Sequence, residues 1–130
     1  TLGIDILGTS GWTDPQTLET VDQRHTTGVV ATSPVGAGPG SSGYARFRQA
    51  YEEHFQRTLV SPVPALGYDA IRLLLEAARS GARTPRQMEA ALGRIQDLEG
   101  ATGIFSVVGG RVLRRQEVVR IVNGATIPAG

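Results

Sequence analysis

The sequence predicts an α/β fold with an antiparallel edge. A short apolar run, a helical segment and a β-favouring run open the chain, three consecutive amphipathic segments fill the middle, and β-rich runs with tight-turn pairs end it. At 130 residues the chain has about the length of one domain. We expect the strands to form a mixed sheet and the three consecutive helices to cover something other than that sheet.

The first third of the chain predicts strand, helix, strand. Residues 4–8 form a short apolar run that ends in turn chemistry. Thr13 is the expected helix cap, because a proline suited to the first turn and a glutamine three residues after the cap follow it. This helix should end near Arg24. The run that carries Val29 and Val30 should end at Pro34, since proline has no N–H to donate to a sheet.

Three amphipathic helices are predicted between residues 44 and 98. The first carries an aromatic stripe, for which core packing is favoured over a stacking platform. The second has a wide apolar face and ends near Gly81. The third begins with a capping box at Thr84. The stripes are, in order, Tyr44, Phe47, Tyr51 and Phe55; then Leu66, Ala70, Ile71, Leu74, Leu75 and Ala78; then Met88, Ala91, Leu92 and Ile95.

The last third predicts antiparallel strands. Gly109 and Gly110 separate two β-rich runs, which is a two-residue hairpin signal. A further strand over residues 117–122 ends at an Asn-Gly turn.

Composition excludes several chemistries. The formal charge is +1, so no overall field favours nucleic acid or an anionic membrane surface. All 13 basic residues are arginine, which excludes a P-loop lysine, a Schiff-base lysine and a lysine general base. Cysteine is absent, so disulfides and thiolate sites are excluded too. No membrane-spanning run and no secretory signal is recognised, and we expect the abrupt start to reflect a processed or truncated product.

A glycine-rich stretch carries the spacing G-x-G-x-x-G at Gly38, Gly40 and Gly43. A dinucleotide fingerprint needs a strand that runs into the first glycine and an acid about 20 residues further on. Prolines interrupt the entry, and no acid closes a second strand at that distance. We therefore favour a flexible connector over residues 35–43. The glycine spacing is the one feature that supports the alternative of a nucleotide-dependent enzyme.

Other catalytic candidates are weak. Ser10 in the sequence GTSGW is followed two places later by Trp12, where a nucleophile elbow needs glycine. His25 and His54 are expected at the surface. Asp69 is expected at a helix start, in a local structural role that the helix dipole supports. No catalytic residue, metal ligand or cofactor is therefore predicted. We interpret Arg114 and Arg115 as charges that discourage a strand edge from pairing with another strand.

Several segments, in order, resemble the C-terminal part of type 1 periplasmic solute-binding proteins, the receptors of branched-chain amino acid and related ABC transporters. They are ILGTSGW, TTGVVATSPV, YARFRQAYEEHF, GYDAIRLLLEAA and LEGATGIFSV with RIVNG. The resemblance covers nearly the whole chain, and its most specific pieces are GYDA and EGATG. It implies the C-terminal portion of a two-lobed type 1 fold, with three consecutive helices and an antiparallel C-terminal hairpin.

The resemblance also implies a division of the chain. Residues 1–34 would form a strand-helix-strand part of the second lobe, and residues 35–43 a glycine-rich connector after a hinge crossing. Residues 44–98 would give helices to the first lobe. Residues 99–130 would return through the hinge and supply a hairpin to the second lobe.

The function implied is binding, without catalysis. A small polar molecule would be held between the lobes, with an amino acid and a small carboxylate as alternatives, and a membrane ABC permease would read the closed state. Thr9, Ser10, Gly11 and Trp12 match the loop that reaches the cleft, although Ser10 stands where amino-acid binders often carry an acid. The location implied is periplasmic or extracellular, with a lipid anchor in the longer protein left open.

A second hypothesis is a cell-wall regulatory lipoprotein resembling penicillin-binding protein activators, which would bind a synthase partner. Under either hypothesis the chain is a fragment of a two-lobed protein. The apolar face formed by Leu66, Ile71, Leu74 and Leu75 would then lack the sheet that it covers, so the isolated chain is expected to associate with itself.

Overall fold

The fold comes from a computed structural model that describes residues 5–35 and 42–129. Most of the predicted glycine connector, including Gly38 and Gly40, lies outside these residues. The strands are β1 (Leu7–Gly8), β2 (Val30–Ser33), β3 (Leu98–Glu99), β4 (Ile104–Val108), β5 (Arg111–Arg114), β6 (Glu117–Val122) and β7 (Ala125–Pro128). The helices are α1 (Pro15–Thr20), α2 (Gln23–Thr26), α3 (Ser42–Phe55), α4 (Val63–Arg79) and α5 (Pro85–Leu92), with a short 3-10 helix at Ser10–Thr13.

The first sheet has the strand order β1-β2-β6-β7. Strand β1 is parallel to β2, whereas β2 with β6 and β6 with β7 are antiparallel. Helix α1 covers one face, where Leu18, Val29 and Ile121 form a buried cluster. Asn123 and Gly124 both have positive φ in the turn from β6 to β7, as a type I′ hairpin turn requires. The predicted mixed sheet with an antiparallel edge is confirmed.

The predicted first helix differs in its cap and in its end. Asp14, rather than Thr13, caps α1, because its carboxylate accepts the N–H of Gln16 at 3.3 Å. The helix stops at Val21, whose backbone is extended, and α2 begins as a separate turn. Asp22 starts that turn by accepting the N–H of Arg24 at 3.0 Å, so a second capping aspartate divides what the sequence predicts as one helix.

The second sheet has the order β3-β4-β5 and lies against α4 and α5. Leu73, Ile95, Phe105 and Val107 form the buried cluster between them. Helices α4 and α5 therefore cover something other than the first sheet, as predicted for the consecutive helices. The hairpin of β4 and β5 belongs to this second sheet, not to the unit of residues 1–34 with which the sequence grouped it. With that change, we keep the four-segment division as a proposal.

Helix α5 starts as the sequence predicts. The Thr84 hydroxyl accepts the Gln87 N–H at 3.3 Å, and the Gln87 side chain accepts the Thr84 N–H at 3.1 Å, so both halves of the capping box are present. The helix packs on α4 through a cluster that includes Ala77 and Ala91. It ends at Leu92, and Ile95 joins the core from the segment beyond the helix.

The aromatic stripe of α3 is less buried than predicted. No residue of α3 among those described is fully buried, and Phe55 is 53% exposed. The rings contact one another, with Tyr51 and Phe55 centroids 4.7 Å apart, and Phe47 meets Tyr68 of α4 at 5.0 Å. Tyr44, Phe47 and Tyr51 are half-buried, so the packing role expected for the stripe holds for these three residues, whereas Phe55 at the end of the helix stays exposed.

Helix α4 buries one side and exposes apolar residues on the other. Its buried residues are Ala65, Asp69, Leu73 and Ala77. Ile71, Leu74 and Leu75 are 57%, 45% and 49% exposed, so this apolar face lacks cover, as the fragment hypothesis expects. Among the described residues, no helix is long and apolar enough to cross a membrane.

Candidate functional site

The predicted ligand loop follows β1 at one edge of the first sheet. Because β1 and β2 are parallel, their carboxyl ends meet at this edge, which is where open α/β sheets commonly bind ligands. Residues 10–13 form a 3-10 turn. It is held by the Trp12 N–H, which donates to the Thr9 carbonyl at 3.0 Å, and by the Thr13 hydroxyl, which donates to the Ser10 carbonyl at 2.8 Å.

The four predicted contact residues lie together on this turn and are exposed. Thr9, Ser10 and Gly11 are all accessible, and Trp12 is 39% exposed. The indole lies over the backbone of Gly8, since a Cβ on Gly8 would come within 2.8 Å of the Trp12 Cγ. The indole is thus held in place at its base while part of its surface stays free for contact.

Further polar groups lie at the same edge, on strands that the sequence did not connect with the loop. Ser33 ends β2 and pairs in register with Glu117, the first residue of β6. Tyr44, near the start of α3, faces the same place. Burial raises the pKa of the Tyr44 hydroxyl above its usual value of 10.0.

A cavity of about 140 Å³ lies between these groups. It is lined by Thr13, Pro15, Ser33, Val35, Tyr44, Pro62, Glu117, Val119, Thr126, Ile127 and Pro128. Its walls come from the first sheet, from α1 with its preceding turn, and from the starts of α3 and α4. Sequence reasoning missed the site, because its members come together only through the pairing of β2 with β6.

The other candidate residues have structural roles or lie at the surface. His25 and His54 are both exposed, and His54 contacts the Phe55 ring at 4.7 Å. In the described ranges no three metal-ligating side chains come together. Arg114 ends β5 and donates to the Thr102 hydroxyl at 3.3 Å.

Asp69 is a structural residue for a reason that the sequence did not give. It lies in the second turn of α4, 5% exposed, not at the helix start. Its carboxylate accepts the N–H groups of Ala101 and Thr102 at 2.6 and 2.7 Å, and the Thr102 hydroxyl at 2.7 Å. The segment GYDA therefore fixes the segment EGATG, which ties α4 to the turn before β4.

The comparisons of sequence found no relatives. No protein-family model matches the chain. No curated protein sequence matches it either.

The comparison of structures defines the class. The chain has the fold of part of the type 1 periplasmic solute-binding proteins, as in the periplasmic binding protein type 1 from Bordetella pertussis Tohama I, with a TM-score of 0.71 at 18% identity over 98% of this chain and 40% of that one. The predicted fold class is confirmed.

Two solved structures make the likeness more particular. The leucine-binding protein LivK from Thermotoga maritima matches with a TM-score of 0.78 at 22% identity, over 99% of this chain and 37% of its own. The branched-chain amino acid transporter substrate-binding protein LivJ from Streptococcus pneumoniae, solved with isoleucine, matches with a TM-score of 0.75 at 22% identity, over 94% of this chain and 35% of its own. The chain thus spans just over a third of the length of these two proteins.

Proposed function

We propose that the chain is the ligand-binding segment of an exported solute-binding protein that closes on a small polar organic molecule for ABC transport. The observation that carries the proposal is the position of the loop from Thr9 to Trp12. It forms an ordered, exposed turn at the carboxyl edge of a parallel strand pair, in a fold seen in proteins of this class. The role is binding, without catalysis, in the periplasm or outside the cell.

The loop offers three kinds of contact to a ligand. The Thr9 and Ser10 hydroxyls and the backbone N–H of Gly11 can orient a polar group. The exposed part of Trp12 can cover an apolar part. Structural neighbours were solved with isoleucine and leucine, which favours an aliphatic amino acid; a small carboxylate is the alternative, because Ser10 supplies no acid. Contacts that form only on closure would favour the closed state, which a membrane permease would read.

The proposal is tested on the longer protein that contains this chain, by a thermal-shift panel of aliphatic amino acids, amides and small carboxylates. At least one member should raise the melting temperature. Trp12→Ala should weaken its binding about tenfold or more, since a buried aromatic contact contributes roughly 1.5–3 kcal/mol. Phe55→Ala, which removes an exposed ring on α3, is the control and should bind normally.

No response to any small molecule, together with binding of a cell-wall synthase, would contradict transport and support the regulatory lipoprotein. Equal loss of binding in the Trp12→Ala and Phe55→Ala variants would contradict the role of the loop.

Two apolar surfaces indicate that further polypeptide covers this chain. One is the face of α4 with Ile71, Leu74 and Leu75. The other is the open face of the first sheet, where Leu7 and Val118 are 78% and 50% exposed. Exposed patches of this kind favour association. We expect the 130-residue chain alone to self-associate and Leu74→Gln to reduce this, as measured by light scattering; a stable monomer of the unmodified chain would contradict the expectation.

A further inference from the structure

Gly8 ends β1 directly before the ligand loop, and its own backbone does not explain why it is glycine. Gly8 does not have a positive φ, so alanine could adopt the same backbone conformation. Glycine in a strand costs stability, and where it occurs another group often approaches the backbone closely. The group that approaches Gly8 is the side chain of Trp12, in the loop that follows.

The space that a side chain on Gly8 would need is filled by the near end of the Trp12 side chain. A Cβ on Gly8 would lie 2.8 Å from Cγ, 2.9 Å from Cδ1 and 3.2 Å from Cβ of Trp12. Carbon atoms that are not bonded approach each other to about 3.5–4.0 Å, so these distances are overlaps. The three atoms belong to the stem and the five-membered ring, so the six-membered ring is the part of the indole that lies farther from Gly8.

The register of the first sheet shows on which face Trp12 meets it. Gly8 pairs with Ala31 on β2, and Ala31 pairs with Val119 on β6. Residues that pair in register lie on the same face of a sheet, and Ala31 and Val119 are 2% and 5% exposed, so this is the buried face. The stem of Trp12 is therefore fixed on the buried face at the carboxyl end of β1, while 39% of the residue stays exposed.

We infer that Gly8 is a positioning residue of the ligand loop: because it has no side chain, the Trp12 indole can lie on the end of β1 and form a wall for the apolar part of the ligand. The inference rests on the proposed function and deepens it, since it makes residue 8 a determinant of how the loop holds an apolar group. Rotation about the Cα–Cβ bond of Trp12 is restricted to staggered positions. A methyl group on Gly8 therefore moves the indole to another rotamer, which removes the wall.

The first test observes the indole in the longer protein that contains this chain. The protein is labelled with 5-fluorotryptophan, which places fluorine on the six-membered ring, and Trp12→Phe identifies the Trp12 signal in the fluorine NMR spectrum. We expect Gly8→Ala to move this signal in the ligand-free protein. Gly67→Ala is the matched control, because a Cβ on Gly67 meets no atom within 4 Å, and it should leave the signal in place. An unmoved Trp12 signal in the Gly8→Ala variant would overturn the inference.

The second test is a double-mutant cycle of ligand binding in the same protein. The probes are L-leucine and 4-methylpentanoate, which share an apolar group and differ in the ammonium group. Gly8→Ala should weaken binding of a probe about tenfold, close to the effect of Trp12→Ala. In the Trp12→Ala background, Gly8→Ala should change binding less than about twofold, because the indole that it displaces is absent. Equal effects in the two backgrounds would overturn the inference, because Gly8 would then act without Trp12.

A Gly8→Ala variant that does not fold is compared with the variant that carries both Gly8→Ala and Trp12→Ala. Removal of the indole should restore folding, and a double variant that also fails to fold would overturn the inference.

The two proposals can fail separately. If a probe binds and Gly8→Ala leaves its affinity unchanged, the positioning role is overturned and the binding function stands. If no small molecule binds, the proposed function is contradicted, whereas the fluorine signal still decides whether Gly8 holds the indole in place.

Discussion

Asp69→Asn removes the charge from the carboxylate that joins α4 to the turn before β4, while it keeps the size of the side chain. In the folded chain one carboxylate oxygen accepts the Ala101 N–H, and the other accepts both the N–H and the hydroxyl of Thr102. Asparagine keeps one acceptor oxygen. Its NH₂ group must therefore face at least one buried N–H that then has no acceptor.

The expected cost follows from these contacts. A buried amide left without an acceptor costs about 1–3 kcal/mol, and the hydrogen bonds that remain lose the charge, which costs about 1 kcal/mol more. The variant should lose roughly 2–4 kcal/mol of unfolding free energy, a large part of the typical total of about 5–15 kcal/mol. The packing around the site leaves little room for adjustment, since a Cβ on Gly100 would lie 2.5 Å from an Asp69 carboxylate oxygen.

Urea unfolding followed by circular dichroism measures the effect. The matched control is Asp97→Asn, because Asp97 is exposed and its carboxylate accepts one bond, from the Ser106 hydroxyl at 3.4 Å. The control should change the unfolding free energy by less than about 0.5 kcal/mol. If the two variants differ by less than about 0.5 kcal/mol, the buried hydrogen bonds do not fix this turn and the reasoning fails.

Three further predictions use paired or pH-dependent readouts. Gly100→Ala should lower the unfolding free energy by about 1–3 kcal/mol, because its Cβ would overlap the Phe105 ring. Gly67→Ala, in the open part of α4, should raise the unfolding free energy by roughly 0.5–1 kcal/mol. Equal effects of the two substitutions in urea unfolding would contradict this. At a protein concentration low enough to keep the 130-residue chain monomeric, Leu73→Ala should lower the unfolding free energy by about 2–5 kcal/mol and Leu74→Ala by less than about 0.5 kcal/mol, since the two residues are 8% and 45% exposed. A reversed order would refute the assigned faces. Burial raises the pKa of Tyr44 in the folded state above 10.0, so the stability that the neutral hydroxyl contributes is complete below pH 10 and is lost as the pH rises through the pKa of the folded state. Tyr44→Phe should therefore reduce the loss of stability at alkaline pH, as measured by thermal unfolding at a series of pH values. An unchanged pH profile in the variant would contradict this.

Elements with local signals could be predicted from the sequence. The capping box at Thr84 and the turn at Asn123 and Gly124 depend on residues within a few positions of one another. The errors arose where two local signals competed. Asp14 and Asp22 both cap helices, so the capping pattern that was read from Thr13 gave neither the correct cap nor the correct end of α1.

The candidate site was predicted only in its contiguous part. The loop from Thr9 to Trp12 is one stretch of sequence, and order and resemblance were enough to select it. Glu117 and Ser33 are far apart in the chain, and nothing within a few residues of either one indicates the other. Their proximity follows from the register between β2 and β6.

The sequence by itself determined the order of the main strands and helices, the tight turns and the start of α5, and excluded lysine and cysteine chemistry. Only the tertiary structure decided which sheet holds the hairpin of β4 and β5, why Asp69 is buried, and that Glu117 lies beside Ser33. The physical reason is the distance along the chain between the residues that make contact. A cap or a turn is formed by neighbours in the chain, whereas Asp69 meets Ala101 across 32 positions, and such contacts form only when the whole chain closes on itself.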